Sequence, residues 1–292
     1  MNLLAVSLIL ASAVLHAVWN LLLKRRRDKL VFTWFLMVSS AIFCTPILAA
    51  IYCLGHLQVP LAGLAYILLS SALVAIYFVV LSRAYEAGDL SLVYPLSRGL
   101  APIFTLAWSV LLLGERPSPL GLAGIALVVA GAYVLHLRSL SRAGFIEPLR
   151  ALRSRPSRLA IITAILISLF CVVDKAGVSL VDPLAYVSLA FYARSAFLGL
   201  YVLRTRWGRV REGWREGRRA LAVAGLATPL NYILALMALR LTYASYMVAI
   251  RQSSVVFGVL MGSALLGETH GRTRLMGALL MLAGISLVSL AT

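Results

Sequence analysis

The sequence predicts an all-α integral membrane protein, with ten transmembrane helices in two inverted five-helix repeats around a central cavity. Three observations carry this expectation. The 292 residues are 62% hydrophobic, with a mean hydropathy of +0.95. A soluble fold of this length could not hide so much apolar surface, whereas lipid takes the place of a core. The apolar residues fall into runs of the ~20 residues needed to cross a bilayer. Finally, the second half of the chain repeats the first.

The runs lie at 2–23, 30–54, 61–82, 90–113, 119–137, 159–178, 184–203, 220–239, 243–266 and 273–291. Backbone groups in lipid must be satisfied within their own segment or by a closed barrel, and barrel strands would alternate in polarity over ~10 residues. These unbroken runs are therefore read as helices. The first is too long for a signal-peptide h-region and lacks both a preceding basic stretch and a clear cleavage site, so it is read as span 1.

A formal net charge of +17 raises the question of a nucleic-acid partner. The charges, however, are confined to short segments between apolar runs, which is a topological pattern, and no nucleic-acid partner is expected. Segments 24–29, 83–89, 138–158, 204–219 and 267–274 lie on one side and together carry +14. The connections on the other side carry none in total. The positive-inside rule makes the basic side cytoplasmic and puts both termini outside. In segment 204–219, Trp207, Val210 and Trp214 recur at helical spacing among arginines. This suits a helix lying among the lipid headgroups. Segment 138–158 reads as a basic linker between domains 1–137 and 159–292.

Three charges remain, Arg98, Arg194 and Arg251, and all lie well inside predicted spans. An arginine at the bilayer centre costs ~2.5–3.5 kcal/mol on insertion scales, so each must meet a partner or water. No acidic residue is expected at their depth; the nearest, Asp174, lies toward a helix end. Cys44, Cys53 and Cys171 lie in apolar runs without metal-ligand spacing and read as buried, inert thiols. No cofactor or metal is expected.

Shifted by 153 residues, 98–131 falls on 251–284 without a gap. Identities include Arg98/Arg251, Phe104/Phe257, Gly114/Gly267, Glu115/Glu268, Gly124/Gly277 and Gly131/Gly284. At 154, Trp19-Asn20 falls on Val173-Asp174, which puts polar residues at matching points of spans 1 and 6. Five spans per half is an odd number, so the second half enters the membrane upside down. In such repeats the substrate site lies near the midplane where the halves meet. Gly258 and Gly262, and the pairs Gly124/Gly131 and Gly277/Gly284, are spaced for close helix packing. Pro95 and Pro102 flank Arg98, and each removes a backbone donor, so a break beside Arg98 is expected. Val248 and Val255 hold the matching positions in span 9, so the two halves are not expected to be mechanically identical.

"HAVWNLLLK" (16–24), "YPLSRGLAP" (94–102), the paired "LLGE" (112–115 and 265–268) and "VAIRQSSVVFG" (248–258) resemble the EamA family of the drug/metabolite transporter superfamily. The resemblance spans nearly the whole chain. It implies a basket of helices with a cavity lined by the first four helices of each half, and export of amino acids or other small metabolites across the inner (plasma) membrane. The sugar-phosphate translocators of that superfamily bind anionic groups with basic residues on helices 4 and 9, a placement that Arg98 and Arg251 match in kind. Related eukaryotic members keep both termini in the cytosol, opposite to the charge distribution here.

Arg98 and Arg251 are thus candidates to hold an anionic group, for which arginine's planar fork is suited. The structural alternative is that they brace helix ends or pair with Glu86, Asp89 or Asp174. Arg194 is a candidate third member. His16 and Asn20 are one turn apart on span 1, and His16 is the candidate for proton coupling, although interhelical hydrogen bonding would also explain both. Tyr77, Tyr94, Trp108, Asn231, Tyr232 and Gln252 complete the candidate lining. Glu115 and Glu268 are expected at the N-terminus of the helix that follows each. Nothing resembles H-E-x-x-H, G-x-S-x-G or a phosphate-binding P-loop. The leading expectation is therefore a secondary transporter, ahead of a multidrug or cation exporter and of a membrane enzyme.

Overall fold

The computed structural model describes residues 1–24, 26–88, 90–135, 137, 151–258 and 272–291. Asp89, residues 138–150 of the basic linker and residues 259–271, with Gly262, Gly267 and Glu268, lie outside the described residues. The first half comprises α1 (Leu3–Lys24), α2 (Lys29–Cys53), α3 (Leu61–Ala87), α4 (Leu90–Gly99), α5 (Ala101–Leu113) and α6 (Pro119–Leu135). A 3-10 turn at Ala151–Arg153 leads into α7 (Arg155–Val178), α8 (Pro183–Thr205), α9 (Trp207–Leu241), α10 (Ala244–Arg251) and α11 (Arg272–Leu290). Helix resumes over 253–258 after α10, and no strand occurs among the described residues. Seven helical segments there are long and apolar enough to cross a membrane, and Leu3–Val18 and Pro119–Leu135 are shorter apolar helices.

Local chemistry sets the ends. Asp28 caps α2, its Oδ1 accepting from the N–H groups of Leu30 and Val31. Ser154 and Asp182 cap α7 and α8, each followed by a proline in the first turn, where a missing N–H costs nothing. α5 stops at Gly114, whose φ of +67° suits glycine, and the Glu115 N–H closes back on the Ser109 carbonyl.

The packing interchanges the two halves. α3 runs antiparallel to α7 through Ser70–Asp174 and Tyr77–Phe170, and its counterpart α1 meets α9 through Ser12–Asn231. α2 runs parallel to α9, with Val31 at Gly213 and Ser39 bonded to the Leu221 carbonyl. The counterpart of that pair, α3 with α8, is joined by Ser71–Ala190 and Arg83–Tyr201. The equivalent helices α2 and α8 lie antiparallel, with Trp34 bonded to the Ser195 carbonyl and Thr45 to Tyr192. α6 and α11 are antiparallel as well. One half is therefore inverted relative to the other.

At the α6–α11 seam the repeated glycines meet backbone as well as side-chain atoms. A Cβ on Gly131 would lie 2.6 Å from the Met281 nitrogen, and one on Gly284 would lie 2.6 Å from the Gly124 carbonyl oxygen. A Cβ on Gly258 would meet nothing within 4 Å among the described residues, and Gly262, its partner in that spacing, lies outside them. Cys53 differs from its expected burial, standing exposed at the end of α2 while Cys44 and Cys171 are buried.

The connections sort by side as the charges do. Arg206 bridges Asp28 and Glu86, Arg209 reaches Asp28, and Arg27 reaches Glu212. Segments 24–29, 83–89 and 204–219 thus share one face. Partial burial raises the Asp28 carboxyl, but the Val31 N–H, Arg209 and Arg206 outweigh it and hold the group below the usual carboxylate range. Its contribution to stability is present at neutral pH and is lost as the pH falls through that lowered value. The opposite face gathers 174–182, 114–119 and the start of α10, where Lys175 donates to the carbonyls of Leu239 and Thr242.

Segment 204–219 is not a separate helix among the headgroups. It opens the 35-residue α9, which at ~1.5 Å per residue is far longer than a bilayer core is thick. Trp207 and Trp214 remain exposed on this projecting part, although Trp214 also packs on Phe35. In a Cys53→Ser background, which removes the exposed native thiol, and if the positive face is cytoplasmic, a cysteine at Gly208 is shielded from an impermeant thiol reagent in intact cells, and one at His56 is labelled. The reverse pattern would overturn that orientation.

Candidate functional site

Both α4 and α10 stop immediately after an arginine. Pro102 has no N–H to bond the Arg98 carbonyl four residues back, so that oxygen is freed from the helix ladder. Gln252, at the break after α10, donates its Nε2 to that same oxygen at 2.7 Å. The two interruptions therefore meet across the halves. The break beside Arg251 forms without a proline. There the Gln252 N–H bonds the Ala249 carbonyl and the Val255 N–H bonds the Gln252 carbonyl, both short-range turns of a tightened helix. Each arginine sits in a last helical turn, where the helix dipole favours a cation.

The breaks open on a central cavity of about 110 Å³, which Arg98, Arg194 and Arg251 all line. Arg98 Nη2 donates to the Tyr77 hydroxyl at 3.3 Å, and Arg251 Nη2 donates to Asn231 Oδ1 at 3.3 Å. Tyr77 and Asn231 are 154 residues apart, so each arginine reaches the corresponding residue of its own half. Around them the halves differ. Arg251 lies 3.5 Å from His16 Nδ1, and Ser12 also donates to Asn231. Phe170, 154 residues after His16, instead places its ring edge-on to Tyr77 at 5.9 Å. One end of the cavity is polar and the other aromatic.

Arg194 belongs to a different constellation. Its Nη2 donates to the Tyr232 hydroxyl and to Ser70 Oγ, and its guanidinium carbon lies 4.3 Å from the centre of the Tyr232 ring. Asp174, only 2% exposed, faces the same cavity with Oδ1 4.0 Å from Arg194 Nη2. The hydroxyls of Ser70 and Tyr186 donate to that Oδ1, and Tyr232 donates to Oδ2. The expectation that no carboxylate lies at the depth of the arginines is therefore corrected. Asp174 is near the end of α7 in sequence, but the cavity reaches that end because the neighbouring helices are broken.

His16, Tyr77, Asn231, Tyr232 and Gln252 also line the cavity. Trp108 is not among the lining residues; it lies on α5 with its indole Nε1 buried and without a hydrogen-bond partner among the described residues. Asn20 and Tyr94 lie on α1 and α4, but their side chains are outside what the structure describes. Glu86 is at the surface with Arg206, so it does not brace either central arginine. Glu115 does cap a helix, though not the one that follows it. It accepts from the Ala244 N–H and from Ser245 at the start of α10, in the other half. From the sequence, Asp174 is named only as a possible brace for Arg98 or Arg251, and its partners Ser70 and Tyr186 are left out. The available signal was the match of Asp174 to Asn20 across the repeat.

The model of the EamA-like transporter family matches residues 3–137 and 157–290, one match for each half. A solved crystal structure with 16% identity superposes with a TM-score of 0.71, covering 98% of this chain and 96% of its own. At that identity the likeness concerns the fold alone. No curated protein matches the sequence.

Proposed function

The chain belongs to the EamA-like transporter family, and from that premise we propose that it is a ten-span secondary transporter working by alternating access. The five spans of each half, inverted with respect to one another, enclose the central cavity. The cargo is a small metabolite carrying an anionic group, such as an amino acid or another organic or phosphorylated acid. It is exported across the inner membrane with coupling to protons. One observation carries this reading: arginines at equivalent positions of the two halves, Arg98 and Arg251, line one buried cavity where their helices break. A guanidinium there has to be satisfied, and a carboxylate or phosphate fits its fork.

Asp174 gives the cavity one carboxylate, the group that a cation exporter would use. Three hydroxyls and Arg194 already engage it, which favours the anion reading. The test is transport by purified protein in proteoliposomes, offered labelled lactate, glutamate, phosphoenolpyruvate, leucine, spermidine and tetraphenylphosphonium. Saturable movement is expected for a probe bearing a carboxylate or phosphate. A protein that moves only spermidine or tetraphenylphosphonium overturns the reading.

A further inference from the structure

Arg194 and Asp174 are joined in an unusual way. At 4.0 Å their closest atoms are beyond hydrogen-bond distance, and Ser70 and Tyr232 stand between them. Each of these hydroxyls donates to Asp174 and accepts from Arg194. Arg194 Nε is buried and has no acceptor among the described residues. Buried donors are nearly always paired, so an unpaired guanidinium N–H on a cavity wall calls for an acceptor that enters the cavity. The first half carries no such pair. At the repeat spacing of 154, Ser40 stands at the position of Arg194 and Asn20 at that of Asp174.

We propose that Asp174 is the proton-carrying group of the transport cycle: a proton on Asp174 releases Arg194 to an anion in the cavity, and the two cross together. This rests on the transport reading above, and it makes the cargo's own outward gradient, rather than the proton gradient, the driving force of export. The Asp174–Arg194 pair is neutral within a cavity that Arg98 and Arg251 also line. A proton taken from solution onto an Asp174 oxygen adds one positive charge to that cavity, and the entering anion offsets it. No covalent bond to the cargo is made or broken. A carboxylate only accepts hydrogen bonds, whereas a carboxylic acid also donates one. Protonation therefore removes the charge attraction on Arg194 and turns one hydroxyl of the relay around. The orphan Nε and the freed Nη2 then present two donors to a carboxylate or phosphate. Net charge in a low-dielectric cavity is costly, which keeps proton and anion binding together.

The other ionisable groups near Asp174 come from every helix around the cavity. Tyr77, Arg98 and Arg251 line it from α3, α4 and α10, and His16 from α1. Tyr186 and Tyr232 bond Asp174 directly, from α8 and α9. On α7 itself Cys171 also lines the cavity, and Lys175 is turned away to the carbonyls ending α9. Of these, His16 is the rival proton carrier.

The experiment compares wild type, Asp174→Asn and His16→Gln in proteoliposomes with labelled lactate, glutamate and phosphoenolpyruvate, with and without an imposed pH gradient. For wild type, accumulation of at least one probe is expected to rise up to about tenfold per pH unit of inward acid gradient, the limit for one proton per anion. A pH dye should report proton entry with the probe. In Asp174→Asn the gradient response should fall to about onefold, while counterflow exchange, which moves no net protons, falls less. In His16→Gln the gradient response should persist. Wild-type uptake that ignores the gradient overturns this inference and the proton coupling while leaving the anion-transport reading standing; a response lost in His16→Gln but kept in Asp174→Asn overturns this inference alone. Wild type that moves none of the three anions removes both. Should Asp174→Asn fail to fold, Tyr232→Phe removes one donor to Asp174 and must displace the pH midpoint of the wild-type response; an unmoved midpoint overturns the inference.

Discussion

Arg251→Gln is expected to lower uptake of an anionic probe by roughly 10- to 100-fold, while the protein folds and elutes as wild type does. The magnitude follows from losing hydrogen bonds to a charged group, ~1.5–3 kcal/mol in affinity. Folding should survive because the bonds Arg251 makes are to neutral partners, His16 Nδ1 at 3.5 Å and Asn231 Oδ1 at 3.3 Å. Glutamine preserves an amide donor for Asn231 and leaves no carboxylate stranded. Arg98→Gln should reduce uptake similarly. Arg→Lys should restore only part of the loss at either position, since a point charge does not reproduce the two-pronged fork. Arg194→Gln is the contrasting variant. It strands buried Asp174 without its countercharge, a class of change that costs about 3–5 kcal/mol, so its main effect should be loss of folded protein. Uptake in proteoliposomes together with a thermal melt in detergent separates these outcomes. Normal uptake by Arg251→Gln would remove that residue from the site. Unfolding with unchanged affinity in the surviving protein would make it a brace.

Gly131→Val should be strongly destabilising at the α6–α11 seam. The added Cβ would lie 2.6 Å from the Met281 nitrogen and 2.8 Å from the Gly277 carbonyl oxygen, both backbone atoms that no rotamer change can move aside. α6 and α11 must therefore separate. Overpacking costs ~1–3 kcal/mol where side chains can shift, and a seam of backbone on backbone lies at or above the top of that range. Gly277→Val attacks the equivalent point, where a Cβ would be 2.3 Å from the Leu135 nitrogen. Gly258→Ala, in open space, serves as the control and should melt like wild type. Equal melting temperatures for Gly131→Val and Gly258→Ala would disprove the close seam.

Much of this arrangement could be read in advance because a bilayer permits so few solutions. Long apolar runs must be helices, and a repeat of five such runs must invert. The glycines at a common spacing of seven marked the seam correctly, since close approach needs the small residue on one face of each helix. Gly258 and Gly262 share the shorter spacing of four, and a Cβ on Gly258 would meet nothing within 4 Å among the described residues. The break after Arg98 followed from Pro102, a local cause. The break after Arg251 has no such local cause and depends on Gln252 reaching the other half, a tertiary contact invisible in one segment. Asp174 was misjudged for the same reason. Depth along a single helix was taken as depth in the protein, whereas the cavity is bounded by helix ends. Glu115 had the right task and the wrong helix, because nothing in its neighbourhood names Ala244, 129 residues away.

The unlike surroundings of the two central arginines have a geometric consequence. A half-turn about the axis relating the repeats carries Arg98 onto Arg251 and Tyr77 onto Asn231, but it carries Phe170 onto His16. The backbone is close to indifferent to that rotation and the side chains are not. A guest lodged between the arginines therefore meets a different chemical environment when turned end for end, and its two poses are unequal in energy. Unlike side chains at equivalent positions of the two halves make the chamber directional.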